Sequence, residues 1–228
     1  MTVLASSGWL IATVTLYGMA RWGQARLGGH ALANTVLLPA FAILGILQAA
    51  PLARRSFDDA GGVLLWFLGP ATVALAVPLY THLARVRVVL RAALTSLLIG
   101  SLVSVGVAVG SAFLLHARTE TVRSLAPKSV TTPIAMAIAE SIGGAPSLAA
   151  VFVIVTGSVG AVTGNFVFDL LRVKDSRARG FALGVAAHGM GTARAFQIDE
   201  TAGVFATIGM TVNGVLTAIV LPWVWNAL

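Results

Sequence analysis

The chain has 228 residues, of which 57% are hydrophobic and 10% are charged, and its mean hydropathy is +0.91. Because soluble domains carry about 25% charged residues, this composition excludes a soluble globular protein and predicts a membrane protein. The net charge of +7 suits loops that face anionic lipid and does not indicate a nucleic-acid partner, and the absence of cysteine excludes disulfides, thiolate chemistry and cysteine-based metal sites.

The apolar segments predict one all-α transmembrane domain over residues 1–228, with about seven to eight hydrophobic segments, some of them broken or re-entrant. In chain order the predicted segments are 7–22, 33–50, 61–82, 92–115, 125–142, 147–171, 180–196 and 202–225. The second begins beside Asn34, which is a candidate ligand contact, although an interfacial polar anchor is the commoner role. The third is interrupted by Gly69 and Pro70, and again by Pro78.

One segment combines apolar length with residues that a spanning helix rarely holds. These residues are Pro127, Lys128, Ser129, Thr131, Thr132 and Pro133. The two prolines predict a break across 127–132, followed by a half-helix with Thr132 as its N-cap and Pro133 as its first residue. A lysine at bilayer depth costs about 2.5–3.5 kcal/mol, so it usually faces protein, water or ligand. A helix N-terminus beside an ammonium attracts anions, so an anion site is predicted here; the alternative is a loop whose lysine reaches the headgroups.

The distribution of basic residues tests whether 125–142 crosses the membrane. If every segment crosses, the loop 172–179, with four Lys/Arg, lies opposite the loops 21–26 and 85–91. If 125–142 dips in and returns, the three loops share one side and hold nine Lys/Arg, and the positive-inside rule places that side in the cytoplasm. The count favours a re-entrant hairpin, or another even number of crossings.

A weak internal repeat is visible in two proline-bounded polar breaks, at 70–78 and 127–133, each of which precedes a turn and a long span. Under the re-entrant topology the two following spans run in opposite directions. That pattern is typical of an inverted-repeat secondary transporter with its site between the breaks. The alternative is that prolines and glycines are simply common in membrane helices.

The segment 180–196 is a second polar constellation. Small residues at 180, 184, 187 and 191 predict a helix face that another backbone can approach closely. Gly189 and Gly191 predict a second break, with Thr192 capping the helix that follows. His188 could bond a carboxylate or relay a proton, and Arg194 could bind a carboxylate bidentately. The alternatives are a packing histidine and an arginine that extends to the interface.

Helix packing is also predicted from two further small-residue motifs, at Gly106 and Gly110 and at Gly160 and Gly164. Enzyme signatures are absent: the chain has no G-x-S-x-G, no G-x-x-x-x-G-K and no H-E-x-x-H. We therefore do not expect an enzyme. The four histidines are scattered, so neither a metal site nor a cofactor is expected.

Several stretches together resemble the LrgB (CidB/LrgB) family over nearly the whole chain. They are Gly69-Pro-Ala-Thr-Val-Ala-Leu-Ala-Val-Pro-Leu-Tyr80, Ala126-Pro-Lys-Ser-Val-Thr-Thr-Pro-Ile-Ala-Met136, Ser141-Ile-Gly-Gly144 and Ala178-Arg-Gly180 through His188-Gly-Met-Gly-Thr-Ala-Arg194. One departure is Asn34-Thr35, where the family commonly has Asn-Pro, so a sharp break is not expected there.

The resemblance implies a multi-pass protein of the bacterial cytoplasmic membrane. Bacterial family members are described as antiholin-like proteins that modulate murein hydrolases and pair with a smaller LrgA-type partner. Plastid relatives and some bacterial ones transport small monocarboxylates such as glycolate, glycerate or pyruvate. The resemblance therefore implies one of these two roles.

Two functional hypotheses follow. The first is a secondary transporter of a small anionic monocarboxylate, in which His188 or Glu140 could carry a coupling proton. Its candidate substrate-binding residues are Lys128, Ser129, Thr131, Thr132, His188, Thr192, Arg194 and Asn34. The second is a regulator of autolysis that assembles with an LrgA-type membrane partner, through faces such as the glycine motifs. Assembly into a homo-oligomer is also compatible with the sequence.

Overall fold

The computed structural model describes residues 2–27, 35–50, 54–74, 80 and 83–227, and the regular structure in these ranges is entirely helical. The all-α prediction is thus confirmed. Nine helices are described, namely α1 (Thr2–Arg26), α2 (Leu37–Ala49), α3 (Arg54–Ala74), α4 (Leu83–Leu114), α5 (Thr119–Leu125), α6 (Thr132–Ser141), α7 (Pro146–Leu170), α8 (Ser176–Ile198) and α9 (Glu200–Ala227). The chain forms two compact units, Met1–Val73 and Ala74–Leu228. The single domain expected over the whole chain stays a prediction.

In the first unit, α1 and α3 are joined through Trp9. Its indole Nε1 donates to Ser56 Oγ at 3.1 Å, and its ring meets that of Phe57 edge-on, with centroids 5.3 Å apart. The helix α3 continues through Pro70, so the break predicted there is wrong. A proline removes one helical hydrogen bond, and membrane helices tolerate this because neighbouring groups satisfy the freed carbonyl. The second predicted interruption, at Pro78, lies outside the described residues.

Three helices of the second unit are long and apolar enough to cross a membrane: the part of α4 over Arg91–Leu114, then α7 and α9. Each exceeds the roughly 20 residues that a hydrocarbon core of about 30 Å requires. Large apolar side chains are exposed along them, and examples are Leu102, Val107, Phe113, Val155 and Ile219. Such surfaces suit contact with lipid, and the protein is a multi-pass membrane protein.

Helices α5 and α6 form a hairpin that returns to the end where it began; residues 119–145 are called the first hairpin below. The return of the chain is fixed by Ser124 in the last turn of α5, whose Oγ accepts from the backbone N–H of Ala145 at 2.8 Å. A Cβ added to Gly144 would lie 2.9 Å from the backbone nitrogen of Ser124, so only glycine fits this approach. The segment 125–142 therefore folds back on itself, which agrees with the re-entrant path that the count of basic residues favours.

Helix α8 is likewise a hairpin, because it folds back at Ala187 and His188, whose backbone angles are non-helical. A straight helix of 23 residues would separate its ends by about 34 Å, yet the Ser176 hydroxyl donates to the carboxylate of Asp199 just beyond the other end. The two arms, 176–186 and 189–198, pack together where Gly191 lies against the carbonyl of Leu183. Residues 176–199 are called the second hairpin below.

The second hairpin packs tightly on α9 through glycine. A Cβ on Gly180 would overlap the carbonyl of Ala202, and one on Gly184 would overlap the carbonyl of Ala206. The predicted close-approach face is thus confirmed for these two positions. Gly160 and Gly164 of α7 also meet the second hairpin, whereas nothing lies within 4 Å of a Cβ at Gly106 or Gly110 among the described residues.

The two hairpins enter from opposite ends of the second unit. The first opens where α4 ends and α7 begins, because Ser124 bonds Ala145 just before α7. The second opens where α7 ends and α9 begins, since Arg179 bonds Asp169. A span followed by a hairpin thus occurs twice, with inverted orientation. In the described residues the repeat pairs the breaks at 126–131 and 187–188. The sequence-based repeat pairs 127–133 with 70–78, and residues 75–79 lie outside the described residues.

This arrangement also places the basic residues of the second unit. Arg85, Arg87 and Arg91 lie in the first nine residues of α4, at the end where the second hairpin opens. Four more lie at the same end, namely Arg172, Lys174, Arg177 and Arg179. The positive-inside rule puts this end in the cytoplasm.

Candidate functional site

The first break carries the lysine to the tip of the first hairpin. Residues 126–131 are turns between α5 and α6, and the half-helix begins at Thr132. The N-cap is Thr131, with φ −66° and ψ 151°, so the predicted cap at Thr132 is one residue late and Pro133 is the second helical residue. Thr132 stays helical although it precedes a proline, because that restriction is a bias and not a prohibition.

The ammonium of Lys128 is held by two serine hydroxyls. Its Nζ donates to Ser104 Oγ of α4 at 3.1 Å and to Ser129 Oγ at 3.3 Å, and the two hydroxyl oxygens are 2.7 Å apart. The lysine is partly buried, and within the described ranges no carboxylate lies within 4.0 Å of its Nζ. A desolvated cation without a carboxylate partner favours an anionic ligand.

Two threonines follow at the start of α6. The hydroxyl of Thr131 is buried and has no hydrogen-bond partner among the described residues, although its residue is the N-cap. Thr132 opens the half-helix, whose first backbone N–H groups have no intrahelical acceptor. The hydroxyl and these donors add hydrogen-bonding capacity at the tip, where the helix dipole is positive.

The second break places His188 at the tip of the second hairpin. Its φ of 43° is in the left-handed region, which costs a non-glycine residue about 1–3 kcal/mol unless neighbouring contacts enforce it. Its ring Nε2 lies 2.9 Å from the carbonyl of Val153 on α7, and a Cβ on Gly157 would be 2.6 Å from that ring. The break falls one residue before the predicted glycines, because α7 holds the ring of His188 there.

The two tips lie close to each other. One side chain of α9, Asn213, bonds the carbonyl of Ser129 in the first tip and that of Val185, two residues before the second break. Thr192 lies behind the second tip: its hydroxyl donates to the carbonyl of His188 at 2.8 Å and approaches the sulfur of Met210 at 3.7 Å. It therefore supports the backbone of His188 and does not cap a following helix as predicted, since the half-helix has already begun at 189.

A residue that sequence reasoning missed joins the two breaks. Asn213 of α9 is 2% exposed, and its Nδ2 donates to the carbonyls of Ser129 at 3.1 Å and Val185 at 3.2 Å. Its Oδ1 accepts from Ser101 Oγ at 2.7 Å. Ser104 was missed as well. The available signal was weak: an asparagine in the middle of a span, and two serines three residues apart in another.

For the remaining candidate residues, no described contact leads to the tips. The guanidinium Nη1 of Arg194 donates to Gln197 Oε1 at 2.7 Å, six residues beyond His188. Glu140 is exposed near the C-terminal end of α6, about 12 Å along the helix from Thr132. Asn34 lies outside the described residues.

Two carboxylates at the cytoplasmic end hold the second hairpin. Hydrogen bonds from Arg177 lower the pKa of Asp175 to about 2, and Asp175 caps α8. The hydrogen bond from Ser176 lowers the pKa of Asp199, whose Oδ1 also accepts from Ala202 N at 2.8 Å. Asp199 therefore also caps the N-terminus of α9. Because Asp199 is ionised near neutral pH, its bond from Ser176 keeps the ends of the hairpin together there, whereas the bonds of Asp175 to Arg177 stay within the first turn of α8.

Comparison with known proteins agrees with the resemblance seen in the sequence. The LrgB-like family matches residues 13–227. The chain is 35% identical over 190 residues to the uncharacterized protein YwbG of Bacillus subtilis (strain 168). This match covers 83% of the chain and 84% of the relative.

Two other relatives carry functional names. The chain is 34% identical to the antiholin-like protein LrgB of Bacillus mycoides, in a match that covers 79% of each protein. It is 26% identical to the holin-like protein CidB of Staphylococcus epidermidis, in a match that covers 93% of each protein. No solved structure matches the chain. With nearly its whole length matched and the proline-bounded lysine at the tip of a hairpin, the chain belongs to the LrgB-like family of membrane proteins.

Proposed function

We propose that the protein is a secondary transporter of small monocarboxylates of the glycolate, glycerate or pyruvate type. The observation that carries the proposal is Lys128, a partly buried cation at a hairpin tip that bonds two serines and, among the described residues, has no carboxylate partner. Inverted repeats with broken helices are the usual construction of secondary transporters, whose sites lie between the breaks.

The tip of the first hairpin offers a plausible set of contacts for one carboxylate. Lys128 supplies the charge, and the free hydroxyl of Thr131 and the N-terminal amides of α6 supply further donors. The turn at His188 lies beside this tip, since Asn213 bonds both Ser129 and Val185. One nearby ammonium balances one carboxylate, which favours a monoanion over a dicarboxylate. Arg194, bonded to Gln197, is not part of the proposed set.

Uptake into proteoliposomes tests the proposal. We expect labelled glycolate or pyruvate to accumulate with the parent protein, and Lys128→Ala to reduce kcat/KM by about tenfold to a hundredfold because a charged hydrogen bond is worth about 1.5–3 kcal/mol. The chain contains one other lysine, the exposed Lys174, so Lys174→Ala is a matched control that we expect to transport normally. Equal uptake by empty vesicles and protein vesicles would exclude transport of these acids.

The names of the relatives support a second candidate, regulation of murein hydrolase activity by an antiholin-like assembly with an LrgA-type partner. This role depends on a membrane-facing association surface and not on the lysine. The small motif of Gly106 and Gly110, which has open space beside it in the described structure, is the surface to disrupt. The rate of autolysis is measured in cells that express this protein and its LrgA-type partner. If Gly106→Leu changes this rate and Lys128→Ala does not, the result favours regulation over transport.

A further inference from the structure

Asn213 occupies an unusual position, since its single amide bonds three separate parts of the second unit. Nδ2 donates to the carbonyl of Ser129 in the first hairpin and to that of Val185 in the second, and Oδ1 accepts from Ser101 of α4. The side chain is 2% exposed and lies near the middle of α9. Every polar group of this amide is thus used, in a region where an unsatisfied one is costly.

The two carbonyls that Asn213 binds are released by the breaks. In a continuous helix the carbonyl of Val185 would accept from the N–H of Gly189, but the turn at 187–188 separates them. The carbonyl of Ser129 lies in the turns between α5 and α6, where no helical ladder continues. One asparagine can satisfy both only if the two breaks lie at the same depth against the same face of α9.

The bond to Ser129 also connects Asn213 to the lysine. Ser129 presents its carbonyl to Asn213 and its hydroxyl to Lys128 and Ser104. Fixing the backbone at 129 therefore fixes the hydroxyl that orients the ammonium. Asn213 itself makes no contact with Lys128 among the interactions described, so its effect on the cation passes through Ser129.

We propose that Asn213 is a positioning residue that holds the two hairpin tips in register and thereby orients Lys128. The inference rests on the proposed function only for its effect on transport; its effect on the position of residue 128 does not depend on what the protein carries. Loss of the amide moves the first tip relative to the second, so the ammonium no longer stands where the carboxylate binds.

A thiol at the tip measures this positioning without any substrate. The chain has no cysteine, so Lys128→Cys gives a protein with a single thiol. Its rate of modification by a small methanethiosulfonate reagent is compared in three backgrounds: Asn213, Asn213→Leu and Thr207→Val. Leucine matches asparagine in size and lacks its hydrogen bonds. Thr207 is a matched control because it is a buried polar residue of α9 whose described hydrogen bond runs to Gly203 of the same helix.

We expect Asn213→Leu to change the modification rate by about tenfold or more, and Thr207→Val by less than about twofold. An unchanged rate in Asn213→Leu, or an equal change in both variants, would overturn the inference. If Asn213→Leu does not give a monodisperse protein in detergent, the same measurement is made on Asn213→Asp. This variant keeps the acceptor for Ser101 and loses the two amide hydrogen bonds, so the same changes in modification rate support or overturn the inference.

Transport separates the inference from the proposed function. In the protein that retains Lys128, we expect Asn213→Leu to raise KM for the acid by about tenfold to a hundredfold, as loss of one charged hydrogen bond would do, with a smaller change in kcat. A fall in kcat at unchanged KM would contradict a positioning role. If no acid is transported by the parent protein, the proposed function fails, while the thiol measurement still decides the inference.

Discussion

At the scale of single residues, the site consists of one cation and the hydroxyls that hold it. Lys128 bonds Ser104 and Ser129 instead of a carboxylate. A lysine paired with an acid would already be neutralised, and an anion would have to displace that acid. Serine hydroxyls keep the ammonium hydrogen-bonded without cancelling its charge, so its attraction for an anion is retained.

Removal of the Ser104 hydroxyl tests this account. If the protein transports a monocarboxylate as proposed, we expect Ser104→Ala to raise KM for that acid by about tenfold, because Lys128 loses its fixed partner on α4 and one such bond is worth about 1.5 kcal/mol. Ser111 is a matched control on the same helix, since its hydroxyl donates to the carbonyl of Ala108. Ser111→Ala should leave KM unchanged, and an equal effect of both substitutions would contradict the role given to Ser104.

At the scale of elements, the two hairpins are held by different means. The first is closed at its ends by Ser124 and Gly144 and packs through aliphatic side chains such as Val130 and Ile138. The second lies with its glycines directly on the backbone of α9. Backbone contact leaves no room for sliding, so the second hairpin and α9 form one rigid element.

Enlarging a glycine in this contact should destabilise the protein. A methyl group at Gly184 would overlap the carbonyl of Ala206, so we expect Gly184→Ala to cost about 1–3 kcal/mol and to lower Tm in detergent. Gly189 has no atom within 4 Å of an added Cβ, and Gly189→Ala should leave Tm unchanged or raise it. Thermal unfolding followed by intrinsic fluorescence compares the two, and equal Tm values would show that the contact is not tight.

At the scale of the whole molecule, the opposed hairpins give the second unit two ends of different charge. The end with the basic loop at 172–179 faces the cytoplasm by the positive-inside rule, and the ends of the first hairpin face the other side. A site between two opposed tips can in principle be reached from either side in turn, which is the requirement for alternating access.

Thiol labelling tests this topology. We expect Arg118→Cys, just before α5, to react with a membrane-impermeant maleimide in cells whose cell wall has been removed and whose cytoplasmic membrane is intact. Lys174→Cys should react only after the membrane is permeabilised. Reaction of both thiols in intact cells would show that 125–142 crosses the membrane and does not return.

The sequence by itself determined the membrane class, the family, the break around Lys128 and the re-entrant path of 125–142. Proline geometry, hydropathy and loop charge are local properties, because each depends only on residues that are close together in the sequence. Only the tertiary structure decided that the partner of this break is the turn at His188, that α3 passes through Pro70 unbroken, and that Asn213 bonds Ser129 and Ser104 bonds Lys128. These findings depend on contacts between residues up to 112 positions apart. The free energy of a freed carbonyl or an unpaired ammonium depends on which helix the fold places beside it.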